Sequence, residues 1–116
     1  MQLKTKCPAE ATLLVIGGSW KVPILWHLAK ETKRFSQLQR DLQGVTQKML
    51  TQQLRELERH EVVARKVYPQ VPPKVEYSLS ARGRSIEPVI VALKAWGEAN
   101  VDLSPHPDTS GKACAA

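Results

Sequence analysis

The amino-acid sequence predicts an α+β fold: several helices first, then a two-stranded hairpin, then one long helix. Apolar residues recur at three- and four-residue spacing up to residue 60 and again after residue 80, which is typical of helices with one buried side. Between these segments, residues 74–79 (KVEYSL) alternate between polar and apolar, which is typical of a strand. The chain has 116 residues, enough for one domain with a modest core.

Two helices are predicted in the first thirty residues. Pro8 suits the start of the first helix, and the glycine pair at residues 17–18 is a stop signal. Ser19 is the predicted cap of the second helix, and Pro23 fits because it falls in the first turn. The core-facing side of the second helix is formed by Ile24, Leu25 and Leu28.

A short third helix and a longer fourth helix follow, separated by a turn that contains Gly44. Ser36 and Gln39 have the spacing of a capping box at the start of the third helix. Thr46 is the predicted N-cap of the fourth helix, which runs to about residue 60. Its core-facing side is formed by Leu50, Leu54 and Leu57. Two helices joined by a short glycine-containing turn are the signature of a helix-turn-helix.

The opposite side of the fourth helix carries an amide, a hydroxyl and three cations but no acid, while Glu56 and Glu58 lie on its flanks. The members of this side are Lys48, Thr51, Gln52, Arg55 and Arg59. Amides and lysine can contact purine edges, threonine can contact a thymine methyl group, and arginine suits phosphates. This side is therefore predicted to bind DNA, and the alternative is an ordinary solvated helix face.

Residues 62–68 and 74–79 are predicted strands of one hairpin. They are joined by PQVPP, and since proline cannot donate to a sheet ladder, the three prolines predict a stiff tip rather than strand. Basic residues suited to phosphates or to the minor groove flank this tip: Arg65, Lys66 and Lys74. The alternative is that they are ordinary solvated side chains. A hairpin directly after a helix-turn-helix makes a winged helix.

Basic residues are concentrated in the first two thirds of the chain. The net charge is +6, and residues 1–80 carry all of this excess, with 13 basic against 7 acidic side chains. Such a distribution favours a polyanion or an anionic surface as partner. Arg34 and Arg40, beside the first helix of the motif, are further candidates for contact with a nucleic-acid backbone.

The last helix is predicted from about Ala81 to Val101. Pro88 falls inside it and predicts either a kink or a regular helix that starts only at Ser85. The apolar side of this helix is wide and needs a partner, for which a second copy of the chain is the simplest choice. The predicted fold is thus a winged helix-turn-helix with N- and C-terminal dimerisation helices over residues 1–103. A flexible tail, residues 104–116, follows.

Several classes of protein and site are disfavoured by the sequence. No apolar run approaches the ~20 residues of a membrane span, and no signal-peptide pattern begins the chain, so a cytoplasmic location is expected. Cys7 and Cys114 belong to no C-x-x-C or paired His and Cys spacing, so neither a metal site nor any other cofactor is expected. Ser, His and Asp residues form no catalytic constellation, so an enzyme is the least expected class.

Three segments resemble the HxlR-type transcriptional regulators, relatives of the MarR winged helices. They are CPAEATLLVIGGSWKVPILWHL, KRFSQLQRDLQGVTQKMLTQQLRELE and VYPQVPPKVEYSLSARGRSIEPVIVALKAWG, which together cover residues 7 to about 97. The resemblance implies a bacterial homodimer that binds double-stranded DNA. We expect it to act as a repressor at an inverted-repeat operator. It makes the fourth helix the recognition helix, with four residues at positions that face the major groove: Gln47, Lys48, Thr51 and Gln52.

Cys7 matches the N-terminal cysteine through which some members of that family respond to oxidants or electrophiles. Lys4, Lys6 and a helix N-terminus would favour its reactive thiolate. Alternatively, Cys7 is a small residue that packs and never reacts. The tail has no family pattern, so no role is carried over to Cys114. An oxidant or a small molecule is the expected kind of effector, and the tryptophans either line a pocket for it or pack in the core and dimer interface: Trp20, Trp26 and Trp96.

Two other functions remain open at this point. One is a constitutive winged-helix DNA binder without a thiol switch. The other is a protein interaction module whose basic helix faces an acidic partner. The dependence of binding on salt and on DNA sequence separates them, because generic charge attraction lacks sequence preference.

Overall fold

The computed structural model describes residues 7–102, which form five helices and one small sheet. The elements are α1 (Pro8–Ile16), α2 (Lys21–Lys30), β1 (Lys33–Arg34), α3 (Phe35–Asp41), α4 (Gln47–Arg59), β2 (Val63–Tyr68), β3 (Lys74–Leu79) and α5 (Ala81–Asn100). The sheet is antiparallel with strand order β1-β3-β2. The predicted α+β winged helix-turn-helix is confirmed: α3, a turn and α4 are followed by the β2–β3 hairpin, the wing. The predicted tail with Cys114, and also Lys4 and Lys6, lie outside the described residues.

The core lies beneath α4 and brings together all the helices of the domain. Leu50, Leu54 and Leu57, the predicted core side of α4, are at most 1% exposed. They pack in one cluster with Ile24, Leu25 and Leu28 of α2, Leu38 of α3, Val63 of β2 and Ile90 of α5. Among residues 7–102, no single helix is long and apolar enough to cross a membrane; α1 and α2 pass that test only as a pair, bent by 79°.

The starts of α2 and α3 differ from the predictions. Trp20, not Ser19, is the N-cap of α2, and the Trp20 side chain makes no capping hydrogen bond. Helix α3 begins at Phe35, one residue before the predicted cap Ser36. The backbone N–H of Arg34 donates to the side-chain oxygen of Gln37 (2.8 Å), so Gln37 has the role predicted for Gln39. The shift arises because Arg34 is held in an extended conformation by the sheet.

That sheet includes β1, which no sequence pattern predicts. Its two residues pair with β3, Lys33 opposite Tyr77 and Arg34 opposite Glu76. A two-residue strand has too few residues for polarity to alternate, and it forms because the edge of β3 offers backbone groups that need partners.

The start of the long helix α5 lies beside the turn that follows α4. The Ser80 hydroxyl donates to the carbonyl of Glu61 (2.6 Å) and accepts from the N–H of Gly83 (3.0 Å), so one side chain caps α5 and ties it to the end of α4. The helix continues through Pro88, so the alternative start at Ser85 is wrong. In the first turn of the helix, Gly83 packs directly against the carbonyl of Val62.

A partly buried polar cluster holds α2, β1 and α3 together. Lys33 donates to the carboxylate of Asp41, and the Nδ1 atom of His27 lies 3.9 Å from the same carboxylate. The pKa of His27 is lowered, first by burial; Asp41 opposes this effect, and Lys33 and Lys30 add to it. His27 is therefore neutral in the folded protein near pH 7.

Gly83→Ala should destabilise the fold, because a Cβ at this position would lie 2.0 Å from the carbonyl oxygen of Val62, which is backbone and cannot move aside. We expect a loss of about 1–3 kcal/mol in the free energy of unfolding, measured in urea. Gly97→Ala is the matched control in the same helix, since its Cβ would meet nothing within 4 Å. There the better helix propensity of alanine should stabilise by about 0.5–1 kcal/mol. Equal effects at the two sites would contradict this account.

Acid should destabilise the protein through His27. Its folded pKa lies below the unfolded value of 6.5, so the unfolded chain binds the proton more readily. This contribution to stability is complete above the unfolded pKa and is lost as pH falls through the folded pKa. The melting temperature should drop between about pH 7.5 and about pH 5.5. His27→Gln should reduce that drop, and so, separately, should the same change at His60, whose pKa is also lowered by burial. An undiminished drop in His27→Gln would show that His27 does not cause it.

Candidate functional site

The polar side of α4 forms an open concavity on the protein surface. Every residue predicted on this helix lines it, together with one acid that was not predicted there: Thr46, Gln47, Lys48, Thr51, Gln52, Arg55, Arg59 and Glu56. Most of these side chains are exposed, because burial of the three leucines on the opposite side turns them outwards. The structure thus brings the predicted groups of α4 together on one surface.

Glu56 lies in this concavity because it compensates a buried amine. Lys21 of α2 is only 8% exposed, and its Nζ lies 3.4 Å from the carboxylate of Glu56. The sequence placed Glu56 on a flank of the helix and gave no sign of its partner. Within residues 7–102, Lys48, Arg55 and Arg59 form no ion pair, so the concavity keeps an excess of positive charge.

The two threonines of α4 use their hydroxyl groups differently. Thr46 accepts a hydrogen bond from the N–H of Met49 (3.1 Å), which confirms it as the N-cap. Thr51 donates to the carbonyl of Gln47 (2.7 Å) within the helix. Because that proton is committed to the backbone, the methyl group is the part of Thr51 best suited to an outside contact.

At the C-terminal end of α4, His60 adds no charge to this surface. It occupies the C-cap, and its pKa is lowered by burial and by the nearby cations Lys21 and Arg59. The neutral form is therefore favoured. The positive charge of the concavity comes from lysine and arginine alone.

The wing residues fall into two groups, on opposite faces of the hairpin. Arg65 lies opposite Tyr77 and shares a second concavity with α4, bordered also by Gln47, Thr51 and Arg55. Lys66 lies opposite Glu76, on the other face. The structure therefore joins Arg65 to the surface of α4 but places Lys66 apart from it.

Lys74 and Arg34 share the face of Lys66. Lys74 lies opposite Tyr68, and its Nζ is 3.5 Å from the carboxylate of Glu76. Arg34, in β1, also lies opposite Glu76. We call Arg34, Lys66, Tyr68, Lys74 and Glu76 the outer wing cluster. Arg40, the last basic candidate, is exposed on α3.

Cys7 and the tryptophans lie away from these surfaces. Cys7 is exposed at the N-cap of α1, where its carbonyl accepts from the N–H of Ala11 (2.9 Å). Trp20 is buried in the core, Trp26 lies beneath the amines of two lysines, and Trp96 is 65% exposed on α5. Neither concavity described above is lined by a tryptophan. In the described part of the chain, no three His, Cys, Asp or Glu side chains are grouped to hold a metal ion.

Comparison with known proteins identifies the fold. A sequence model of the HxlR-like helix-turn-helix family matches residues 15–105. The uncharacterized HTH-type transcriptional regulator YybR of Bacillus subtilis is 52% identical over 100 residues, which is 86% of this chain and 80% of YybR. YtcD of the same organism, also an HTH-type transcriptional regulator, is 56% identical over 99 residues, 85% of this chain and 79% of YtcD.

Solved structures agree with the sequence matches. The redox regulator HypR in its reduced form superposes with a TM-score of 0.80 at 52% identity, covering 84% of this chain and 96% of that chain. HypR in its oxidized form gives a TM-score of 0.79 and covers 84% of this chain and all of that chain. The chain belongs to the HxlR-like helix-turn-helix family, whose members are DNA-binding transcriptional regulators and not enzymes.

Proposed function

We propose that this chain is a homodimeric repressor that binds a specific double-stranded DNA sequence by inserting α4 into the major groove. The observation that carries the proposal is the positive concavity of α4, in which the single acid is neutralised by Lys21 while Lys48, Arg55 and Arg59 form no ion pair in the described chain. A surface on which the single acid is compensated and three cations are unpaired suits a polyanion. The amides between them suit base edges.

The residues of α4 would divide the work of recognition. Gln47, Lys48 and Gln52 would contact purine edges, and Thr51 would contact a thymine methyl group. Arg55 and Arg59, farther along the helix, would contact phosphates. Arg65 borders the same surface and would contact the backbone beside the groove. The cations of the outer wing face, and Arg34 with them, would contact phosphates farther from the base-reading surface.

Dimerisation is supported by apolar side chains that the monomer leaves exposed on its two terminal helices. On α1, Leu13 and Leu14 are 60% and 50% exposed. On α5, Val89, Leu93 and Trp96 recur at four- and three-residue spacing and are also exposed. Such a stripe, together with the exposed pair on α1, suits pairing with a second copy. Two α4 helices related by a two-fold axis would then read an inverted repeat.

Repression would follow from occupancy, since a dimer bound across a promoter excludes polymerase from it. The site of action would be the cytoplasm, where bacterial DNA lies. An oxidant is the proposed signal, acting at Cys7. Support comes from the exposure of Cys7 at the start of α1 and from the 52% identity to HypR, a redox regulator solved in oxidized and reduced forms. Modification there would alter the packing of a dimerisation helix and so the separation of the two α4 helices.

The alternatives make different demands on the molecule. A constitutive DNA binder needs the α4 surface but not Cys7. A protein interaction module needs only the positive charge of α4 and not the order of its amides and threonines. The amides at residues 47 and 52, with Thr51 between them, favour DNA, because an acidic partner needs no such groups.

Selection of bound duplexes from a random pool, at fixed salt, should yield an inverted-repeat motif. A mild thiol oxidant should abolish the enrichment for the native protein but not for Cys7→Ser, because serine cannot form the oxidised sulfur species. A motif that withstands oxidation in the native protein would establish the constitutive binder. Absence of any motif, with strong salt-dependent binding to all duplexes, would favour the interaction module.

Thr51 should recognise thymine by its methyl group, because its hydroxyl proton is committed to Gln47. Thr51→Val keeps a methyl group and should retain the preference, whereas Thr51→Ser loses it and should bind about 3- to 10-fold more weakly. Replacing the contacted thymine by uracil is the matched change in the DNA: it should weaken the native protein and leave Thr51→Ser unaffected. If Thr51→Ser discriminates thymine from uracil as the native protein does, the methyl contact is refuted.

A further inference from the structure

The outer wing cluster is built around one aromatic ring. The Nζ atoms of Lys66 and Lys74 lie 4.9 and 4.8 Å from the centroid of Tyr68. The sheet dictates this arrangement: Lys66 precedes Tyr68 by two residues on the same strand, and Lys74 is directly opposite Tyr68 on β3. A cation over an aromatic face is attracted by the ring quadrupole, so the ring holds two ammonium groups that would otherwise repel each other.

An acid, Glu76, shares the face of the ring. The Tyr68 hydroxyl is the first cause that lowers the pKa of Glu76, and Lys74 and Arg34 add to it. Glu76 therefore stays ionised and also pairs with Lys74 at 3.5 Å. The ring thus restrains both lysines, and Glu76 also restrains Lys74, although the hairpin lies at the surface.

The charges of the cluster do not cancel. Three cations, Arg34, Lys66 and Lys74, surround the single carboxylate of Glu76, which is their one acidic partner in the ion pairs and strand pairings of the wing. The excess positive charge faces away from the core, on the opposite side of the hairpin from Arg65. A cluster that served only to stabilise the hairpin would gain by balancing its charges. The excess points to an anionic ligand.

We propose that Tyr68 is a positioning residue that holds Lys66 and Lys74 in place for phosphates of the DNA backbone. This inference rests on the proposed function, in which these lysines contact phosphates, and goes beyond it by assigning a role to Tyr68. A free lysine side chain loses rotational freedom when it binds a phosphate. Tyr68 restricts both lysines before DNA arrives, so less freedom is lost on binding. The tyrosine itself touches no DNA in this arrangement.

The test compares the dissociation constant for duplex DNA, as a function of salt, in four variants of the full chain. Lys66→Met/Lys74→Met should weaken binding and reduce the slope of log K against log salt by about four for the dimer, since each protomer loses two lysines that each neutralise one phosphate. Tyr68→Leu removes the ring and should weaken binding about 3- to 10-fold. Tyr68→Phe keeps the ring and should bind within about 2-fold of the native protein. In the variant that lacks both lysines, adding Tyr68→Leu should have no further effect.

That last comparison separates positioning from other roles. If Tyr68→Leu weakens binding equally with and without the lysines, the tyrosine contacts DNA or supports the fold, and the positioning role is refuted. An unchanged salt slope in Lys66→Met/Lys74→Met would also refute it, because the lysines would then contact no phosphate. Either result can occur while the native protein still selects an inverted repeat, in which case the proposed function stands. A native protein that binds no duplex would overturn both proposals.

Discussion

The rotation of α4 about its own axis is set by packing, and the rest of the interface depends on it. Leu50, Leu54 and Leu57 are buried almost completely. Burying a leucine contributes about 1.5–3 kcal/mol. The three leucines together therefore fix which side of the helix faces outwards. The polar groups are presented at defined angles because the apolar groups leave the helix no other orientation.

The ion pair between Lys21 and Glu56 shows how the core constrains the binding surface. A buried amine without a partner is costly, so a carboxylate near Lys21 is required for stability. The partner comes from α4, and the other acid of this helix, Glu58, lines the second concavity instead. The acid in the concavity therefore serves the scaffold. Because Lys21 neutralises Glu56, this acid reduces the positive charge of the concavity less than an unpaired acid would.

Sequence patterns were sufficient for elements whose residues carry a periodic signal. The leucine stripe of α4, the N-cap Thr46 and the strand Lys74–Leu79 could be predicted because each depends on neighbours in the chain. Strand β1 and the pairing of Lys21 with Glu56 could not, because both depend on residues that are distant in sequence.

The placement of the wing cations on two opposite faces could have been predicted from the sequence. Arg65 and Lys66 are consecutive in a strand and must point to opposite faces. The prediction that Arg65, Lys66 and Lys74 flank the tip did not assign them to faces. The role of Tyr68 was less accessible, because it needs the register that sets Tyr68 opposite Lys74. The sequence of one strand shows which of its residues share a face. Only the register between the two strands shows which residues are neighbours across the hairpin.

The contact between Gly83 and the carbonyl of Val62 has a mechanical consequence. It leaves no space between the start of α5 and the turn that ends α4, and Ser80 bonds to both sides of this contact. The start of α5 and the end of α4 are thus rigidly connected. In the proposed dimer, a change in the crossing angle of the two α5 helices would therefore rotate the α4 helices by a corresponding amount. A small rotation at the pairing surface would then produce a larger displacement of α4 at the DNA.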